Sequence, residues 1–356
     1  MIVKAEDRFV PIPILAAGCA FPSGPNLLLA DIAAHTHLCL FRLHPVYVDQ
    51  SGYRVRCSIF PPLVQSSQRL LELMHAALQD LLSHVPQVAR QSLERREVAI
   101  WLVLPESGRP GVPDDLAKQL SNLFIPHWAQ IRITKGQHTA TADAIAEAAS
   151  WTAQTMRFAV VLAADTPYDC DTLRWLEQRD LLNGARRAYR DQARGNPYGR
   201  VAGEGAAAIM VGPPGCESAW CHITGLAQTQ EHLTFDKREP CLGKGLSAAA
   251  LQAVDIAALP AHDIVCLVHD ANGEPYRADE FAYTALRLSD KLAENWIRSI
   301  PAVASGDLLT ASLATHVAIA SWRIQKSSSH PLGGTTLVLG SSDSTERAAL
   351  VLQKGV

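Results

Sequence analysis

The chain has 356 residues, 48% hydrophobic and 19% charged, with a formal net charge of -3 at pH 7. That balance fits a packed soluble protein and excludes a disordered chain. It leaves no global basic field to attract nucleic acid.

In chain order, "PIPILAAGC" predicts a strand. "AHTHLCLFRLH", with His35, His37 and His44 between apolar residues, predicts another strand rather than a metal site. "SSQRLLELMHAALQDLLSHV" at 66–85 has apolar residues at helical spacing and predicts an amphipathic helix, with Ser66 or Ser67 as its cap. "EVAIWLVLP" at 97–105 reads as a buried strand, and "PESGRPGVPDD" at 105–115 as a proline-rich surface loop. "TADAIAEAASWTAQTM" predicts a second, mostly buried helix, and "FAVVLAAD" a strand. The stretch 174–196 carries Arg174, Arg179, Arg186, Arg187, Arg190 and Arg194. It reads as a solvated helix face, with an acidic partner as the other reading. "AAAIMVG" closes the first half as a strand.

The second half repeats the plan. "HITGLAQTQ", "DIVCLVHD", "GGTTLVLGSS" and "RAALVLQK" read as strands. "GLSAAALQAVDIA", "DEFAYTALRLSDKLA" and "TASLATHVAIASWRI" read as helices. The alternation predicts an α/β fold with buried sheets. "PPGCE" separates residues 1–212 from 217–356, with 213–216 as a connecting turn, and the two similar plans suggest an internal duplication.

The longest apolar runs, such as "FAVVLAA" at 158–164, are far shorter than a membrane span. The N-terminal sequence lacks the apolar core and cleavage pattern of a signal peptide. The eight cysteines (Cys19, Cys39, Cys57, Cys170, Cys216, Cys221, Cys241 and Cys266) form no Cys-x-x-Cys pair. Reduced thiols in a cytoplasmic protein are therefore expected, with no metal and no cofactor.

In "GNPYGRVAGEGAAAIMVG" at 195–212, Gly203 and Gly205 predict a tight turn with close backbone approach. Glu204 between them is costly to bury unless it is paired. The residues alone suggest a strained turn held by a carboxylate that accepts backbone N–H bonds.

The order of these segments, with "GRVAGEGAA" in the middle and "PLGGTTLVLG" near the end, resembles the thiolase-like β-ketoacyl synthases over almost the whole chain. The resemblance implies a duplicated α/β unit in five layers, α-β-α-β-α, paired as a homodimer or as a heterodimer with a homologue. It makes the Gly203-Glu204-Gly205 turn a structural corner, and matches Gly333 and Gly334 to the family's Gly-Gly-Thr turn. The family's nucleophilic cysteine falls on His138, or on Gln137 with a one-residue slip. Its two catalytic histidines fall on Asp270 and Asp307, its lysine on Ala302 and its gatekeeper phenylalanine on Leu332.

Condensation on a thioester needs a thiolate and neutral donors for the developing oxyanion. Carboxylates at the donor positions would repel that charge. The resemblance therefore implies a non-catalytic protein that binds another protein. Three such roles are implied: an accessory or adaptor of type VI secretion effectors, a chain-length partner of a polyketide synthase, or a partner of an acyl carrier protein. The alternative is an acyl-thioester hydrolase or acyltransferase on an altered site, with Thr139 and Thr310 as weak nucleophile candidates. His138, Asp270 and Asp307 are expected to converge, with a charged His138 held by one or both aspartates. A channel of a few hundred Å3 reaching His138 would favour an enzyme; a filled one would favour a binding role.

Overall fold

The computed structural model describes residues 9–60, 66–186, 195–237, 239–328 and 332–355. The first half runs β1 (Ile12–Ala20), α1 (Leu27–His35), β2 (Arg42–Val48), β3 (Arg54–Ser58), α2 (Ser66–His84), α3 (Gln87–Glu94), β4 (Ala99–Pro105) and α4 (Leu116–Phe124). It continues with β5 (Gln130–Gly136), α5 (Ala140–Thr155), β6 (Ala159–Asp165), α6 (Cys170–Gln178), β7 (Ala202–Gly203) and β8 (Gly205–Val211). The second half runs β9 (Cys221–Gln230), α7 (Lys244–Ile256), β10 (Ile264–Val268), α8 (Pro275–Arg287) and β11 (Leu292–Ser299). It ends with α9 (Ala302–Ser305), α10 (Ser312–Gln325), β12 (Thr336–Ser341) and β13 (Glu346–Gln353).

The strand order repeats. The first half is ordered β5-β4-β6-β8-β1 and the second β11-β10-β12-β13-β9. In each, the outer three strands run parallel and the inner two are antiparallel. A short pairing of Ile12–Ile14 with Cys221–Ile223 joins the halves.

Each central strand is apolar throughout because both its faces are covered. On β4, Trp101 and Val103 point into the core between the halves, while Ile100 and Leu102 point outward under α2. The same alternation on β6 and β8 makes α5 and α10 a shared middle layer. The core beneath α7 closes the other side. These are the five layers. The tenfold-stranded sheet is flanked by a separate hairpin, β2–β3, joined to β7 and packed on α6 through Tyr47, Val55, Leu173 and Leu176.

Several sequence expectations need correction. The His35–His44 run is not one strand: α1 ends at His35, His37 has φ 53°, and β2 begins only at Arg42. Neither Gly203 nor Gly205 has a positive φ among the described residues. Gly203 is required by close approach, since an added Cβ would meet the Ser305 carbonyl oxygen at 2.0 Å. The 105–115 loop is not wholly superficial, because Arg109 is buried. In the 174–196 stretch, Arg174 is exposed beside Asp171, and Arg179 stacks on Trp175. Arg187, Arg190 and Arg194 lie outside the described residues.

Glu204 is held more firmly than a turn alone requires. Both its oxygens meet the Arg69 guanidinium, and it accepts the Phe60 N–H at 2.8 Å and the Thr166 hydroxyl at 2.7 Å. Glu204→Gln should cost about 3–5 kcal/mol, because Arg69 would be left buried without its charge partner. Arg174→Ala, at the exposed pair, should cost less than about 1 kcal/mol. Denaturant unfolding midpoints of the two variants check this, and equal midpoints would contradict it.

Candidate functional site

The strand ends of both halves face one another, and the loops that leave them carry the polar residues. His138 sits between β5 and α5, two residues before the helix begins. Asp270, Asn272 and Glu274 lie on the loop from β10 to α8, and Arg277 lies in the first turn of α8. Asp307 follows Gly306, whose φ of 68° makes the bend. Backbone bonds from Asp307 N to the Val201 carbonyl (2.8 Å) and from Gly203 N to the Asp307 carbonyl (2.9 Å) bind that loop to the first half. Asp343 follows β12.

Two of the three sequence-predicted residues meet directly. His138 Nε2 lies 2.8 Å from Asp307 Oδ1, with both side chains buried. Asp270 does not hold His138. Its Oδ2 accepts Arg277 Nη1 at 3.0 Å and the Ser341 N–H at 2.7 Å. Of the one or two aspartates expected to hold the histidine, Asp307 alone does; Asp270 is taken by Arg277 and the Ser341 N–H.

Arg200 is the centre of this arrangement. It reaches Glu274 Oε1 at 2.8 and 3.0 Å, Asp343 at 2.7 and 3.0 Å, and Asp307 Oδ2 at 3.1 Å. Arg277 reaches Asp270, Glu274 and Asp343. Asn272 Nδ2 donates to Asp307 Oδ2 at 2.7 Å. Four carboxylates and two guanidiniums thus form one continuous buried network.

The electrostatics follow from that count. Burial alone would raise the Asp307 carboxyl, but His138 and Arg200 outweigh it and hold it well below the usual range. Asp343 is likewise raised by burial and lowered more by Arg200 and Arg277. Burial would lower Arg277, and its surrounding carboxylates drive it well above its usual value. Both arginines are therefore permanent charges here.

His138 has little open space. The cavity beside it is about 20 Å3, lined by residues that include Glu106, Arg109, Gln137, Thr310 and Asp343. That is about the size of one water, not of an acyl chain. Arg109 forms part of its wall and is itself paired with Asp165 at 2.5 and 2.8 Å. Neither candidate hydroxyl is bonded to His138: Thr139 pairs with Ser342 (2.8 Å), and Thr310 donates to the Gly136 carbonyl (3.0 Å). The five buried cysteines are Cys19, Cys57, Cys221, Cys241 and Cys266. Burial pushes their thiols up, away from reactive thiolate.

Among the described residues, Glu231, Cys241 and Glu280 bring metal-ligand atoms within 4.8 Å of one another. Their oxygens are already taken, however. Glu231 accepts from Leu233 N and Gly245 N, and Glu280 from Arg347 and Ser341. Arg347 already supplies a positive charge against Glu280. The Gly-Gly turn before β12 is a packing feature, since a Cβ on Gly333 would meet the Arg323 carbonyl oxygen at 2.7 Å and one on Gly334 would meet Val265 at 2.6 Å.

Sequence reasoning missed Arg200, Arg277, Arg109 and Arg69. The partners of Arg69, Arg109 and Arg200 lie 56 to 143 residues away along the chain, so no local spacing signals them. Arg277 has Glu274 three and Asp270 seven residues before it, but its burial depends on the distant Asp343 and Ser341 as well.

The chain superposes on one chain of a structure described as a type II polyketide synthase acyl-carrier protein in complex with its ketosynthase bound to the hexaketide (AntDE:AntF), with a TM-score of 0.73. Identity is 12%, over 97% of this chain and 100% of that one. The ketosynthase of module 6 of the bacillaene synthase from Bacillus subtilis 168 gives 0.74 at 13% identity, over 97% and 72%. A ketosynthase (ApeO) in complex with its chain length factor (ApeC) from Xenorhabdus doucetiae gives 0.69 at 13%, over 100% of both chains. No family model and no curated protein matches the sequence. The chain has the thiolase-like fold of the ketosynthases. At these identities the likeness establishes the fold alone. No helix among the described residues is long and apolar enough to cross a membrane.

Next to the network, buried His316 is lowered to about 4, chiefly by burial, and buried His269 is lowered well below its usual value, again chiefly by burial. Both are neutral in the folded protein and become charged on unfolding below about 6.5. Stability is therefore full above about pH 6.5 and falls as pH drops through the window to about 4, by roughly 3 kcal/mol for His316 alone. His316→Asn should flatten part of that slope in denaturant titrations at several pH values. An unchanged slope would contradict the assignment.

Proposed function

We propose that this chain is a non-catalytic, ketosynthase-like partner subunit that works by pairing with a second thiolase-like chain. The observation that carries the reading is the Arg200–Arg277 network. It fills the region around His138 with permanent charges and leaves a cavity of about 20 Å3 there. A thioester enzyme needs a nucleophile and an acyl pocket at that point. A partner subunit needs neither. Chain-length factors paired with ketosynthases, among the chains of similar fold, offer the parallel. By the same parallel an acyl carrier protein is a further partner to consider. No residue described above speaks for type VI effector handling. The buried His138–Asp307 contact is the one feature that favours an altered acyl-thioester enzyme.

The duplication suggests where the partner sits. α10 and α5 hold corresponding places in the middle layer. α10 is buried over nearly its whole length, whereas α5 exposes a face of small residues, Ala146, Ser150 and Ala153. Beside this face lies an apolar groove of about 290 Å3, completed by Pro13, Pro214 and Leu226. β5, next to α5, is the terminal strand of its half and has one edge unpaired. A second chain that covers α5 would give that helix the burial that α10 already has, and the open edge of β5 gives the same chain a place to continue the sheet.

Native mass spectrometry of the tagged protein purified gently from its source cells tests this. The expected result is a stoichiometric complex with a second thiolase-like chain, of the same or another sequence. Ala146→Arg together with Ala153→Arg, at exposed positions, should reduce the assembled fraction at least tenfold without unfolding the chain. A monomer, or assembly indifferent to both substitutions, would contradict the proposal.

A further inference from the structure

The β2–β3 hairpin stands outside the repeated strand order, and among the described residues the second half has no counterpart to it. β2 is pinned by its inward residues. His44 Nε2 lies 3.1 Å from the Tyr168 carbonyl, and Tyr47 OH donates to Glu177. Its outward residues are then forced into solvent: Leu43 is 57%, Val46 68% and Val48 47% exposed. Across the ladder, Leu43 faces Arg56 and Val48 faces Arg54. Arg42, Arg54 and Arg56 are all exposed, and among the described residues no carboxylate pairs with them. Two acids of this region, both buried, point their oxygens at other groups and not at these arginines. Asp49 accepts the N–H groups of Ser51, Tyr53 and Arg186, and Glu177 accepts Tyr47 OH and Gln50 N–H. On a chain of net charge -3, this leaves a local face that is both apolar and positive.

We propose that this hairpin face docks an acidic amphipathic helix of a partner protein. Charge complementarity selects the acidic partner, and the apolar row between the arginines selects an amphipathic one. The backbone excludes an added strand. Pro45 has no N–H, and the His44 ring takes the N–H groups of both Val46 and Tyr47 at 3.2 and 2.8 Å, so the outer edge offers no ladder. Leu43 to Val48 spans roughly 15 Å, the length of about three helical turns. One side of a helix with leucines at i, i+3, i+4 and i+7 covers that row, and acidic residues flanking it meet the arginines.

The test uses the full chain and a labelled helical peptide of about 14 residues, with leucine on one face and glutamate on the other. The same peptide with lysine for glutamate is the control, and fluorescence anisotropy is the readout. The glutamate peptide should bind saturably, and high salt should weaken it. Arg54→Glu with Arg56→Glu should weaken it at least tenfold, as should Val46→Ser alone. All three positions are exposed, and far-UV circular dichroism verifies that the variants stay folded. The proposal is overturned if the two peptides bind equally, if neither binds, or if the substitutions change nothing. Preferential binding to phosphatidylglycerol vesicles, lost in the same variants, would overturn it in favour of a membrane surface.

Discussion

Arg200 is fully buried, and its guanidinium can be kept charged only by the carboxylates brought to it. Glu274, Asp307 and Asp343 come from three separate loops of the second half, while Arg200 itself belongs to the first. The ion cluster is therefore also the clasp between the duplicated halves. Most members have more than one partner: Glu274 and Asp343 each bond both arginines, and Asp307 bonds Arg200 and His138, so removing one member unbalances the charge of the rest without stranding any single group. The cluster also sets the chemistry of the region. Carboxylates held ionised by neighbouring arginines repel a developing oxyanion, and the cavity left beside His138 is about 20 Å3.

His138 shows how the surroundings decide a residue's use. Its contact with Asp307 is the geometry of a general base and its orienting carboxylate. Yet that same carboxylate also bonds Arg200, Asn272 and the Leu309 N–H. A side chain tied to so many groups acts as a joint in a framework. The cavity beside the ring is about the size of one water, about 20 Å3.

Much of the fold was legible because the central strands are buried on both faces. β4, β6 and β8 are unbroken apolar runs, and α2 has a clean helical stripe. The edge strands β5 and β11 were not legible, because "QIRITKG" and "LAENWIRS" mix polar and apolar residues, as half-exposed edges do. α1 was hidden by its own sequence: Leu28, Leu29 and Ile32 are exposed, so it has no polar face to betray its period. At the site, the positions of His138 and Asp307 could be read and prove to be in contact. The arginines could not. A lone Arg in "PYGRVAG" or "EPYRADE" reads as a surface charge, and only tertiary partners 74 and 143 residues away from Arg200 make it a buried one.

The most direct test of the account is thioester reactivity. The purified protein would be incubated with acetyl, hexanoyl and malonyl thioesters of N-acetylcysteamine. Intact mass would report covalent acylation, and free thiol release would report turnover. The account predicts no acyl adduct and no thiol release above the buffer rate. Adduct formation or turnover that disappears in His138→Ala would contradict it, and would make the His138–Asp307 pair a working site.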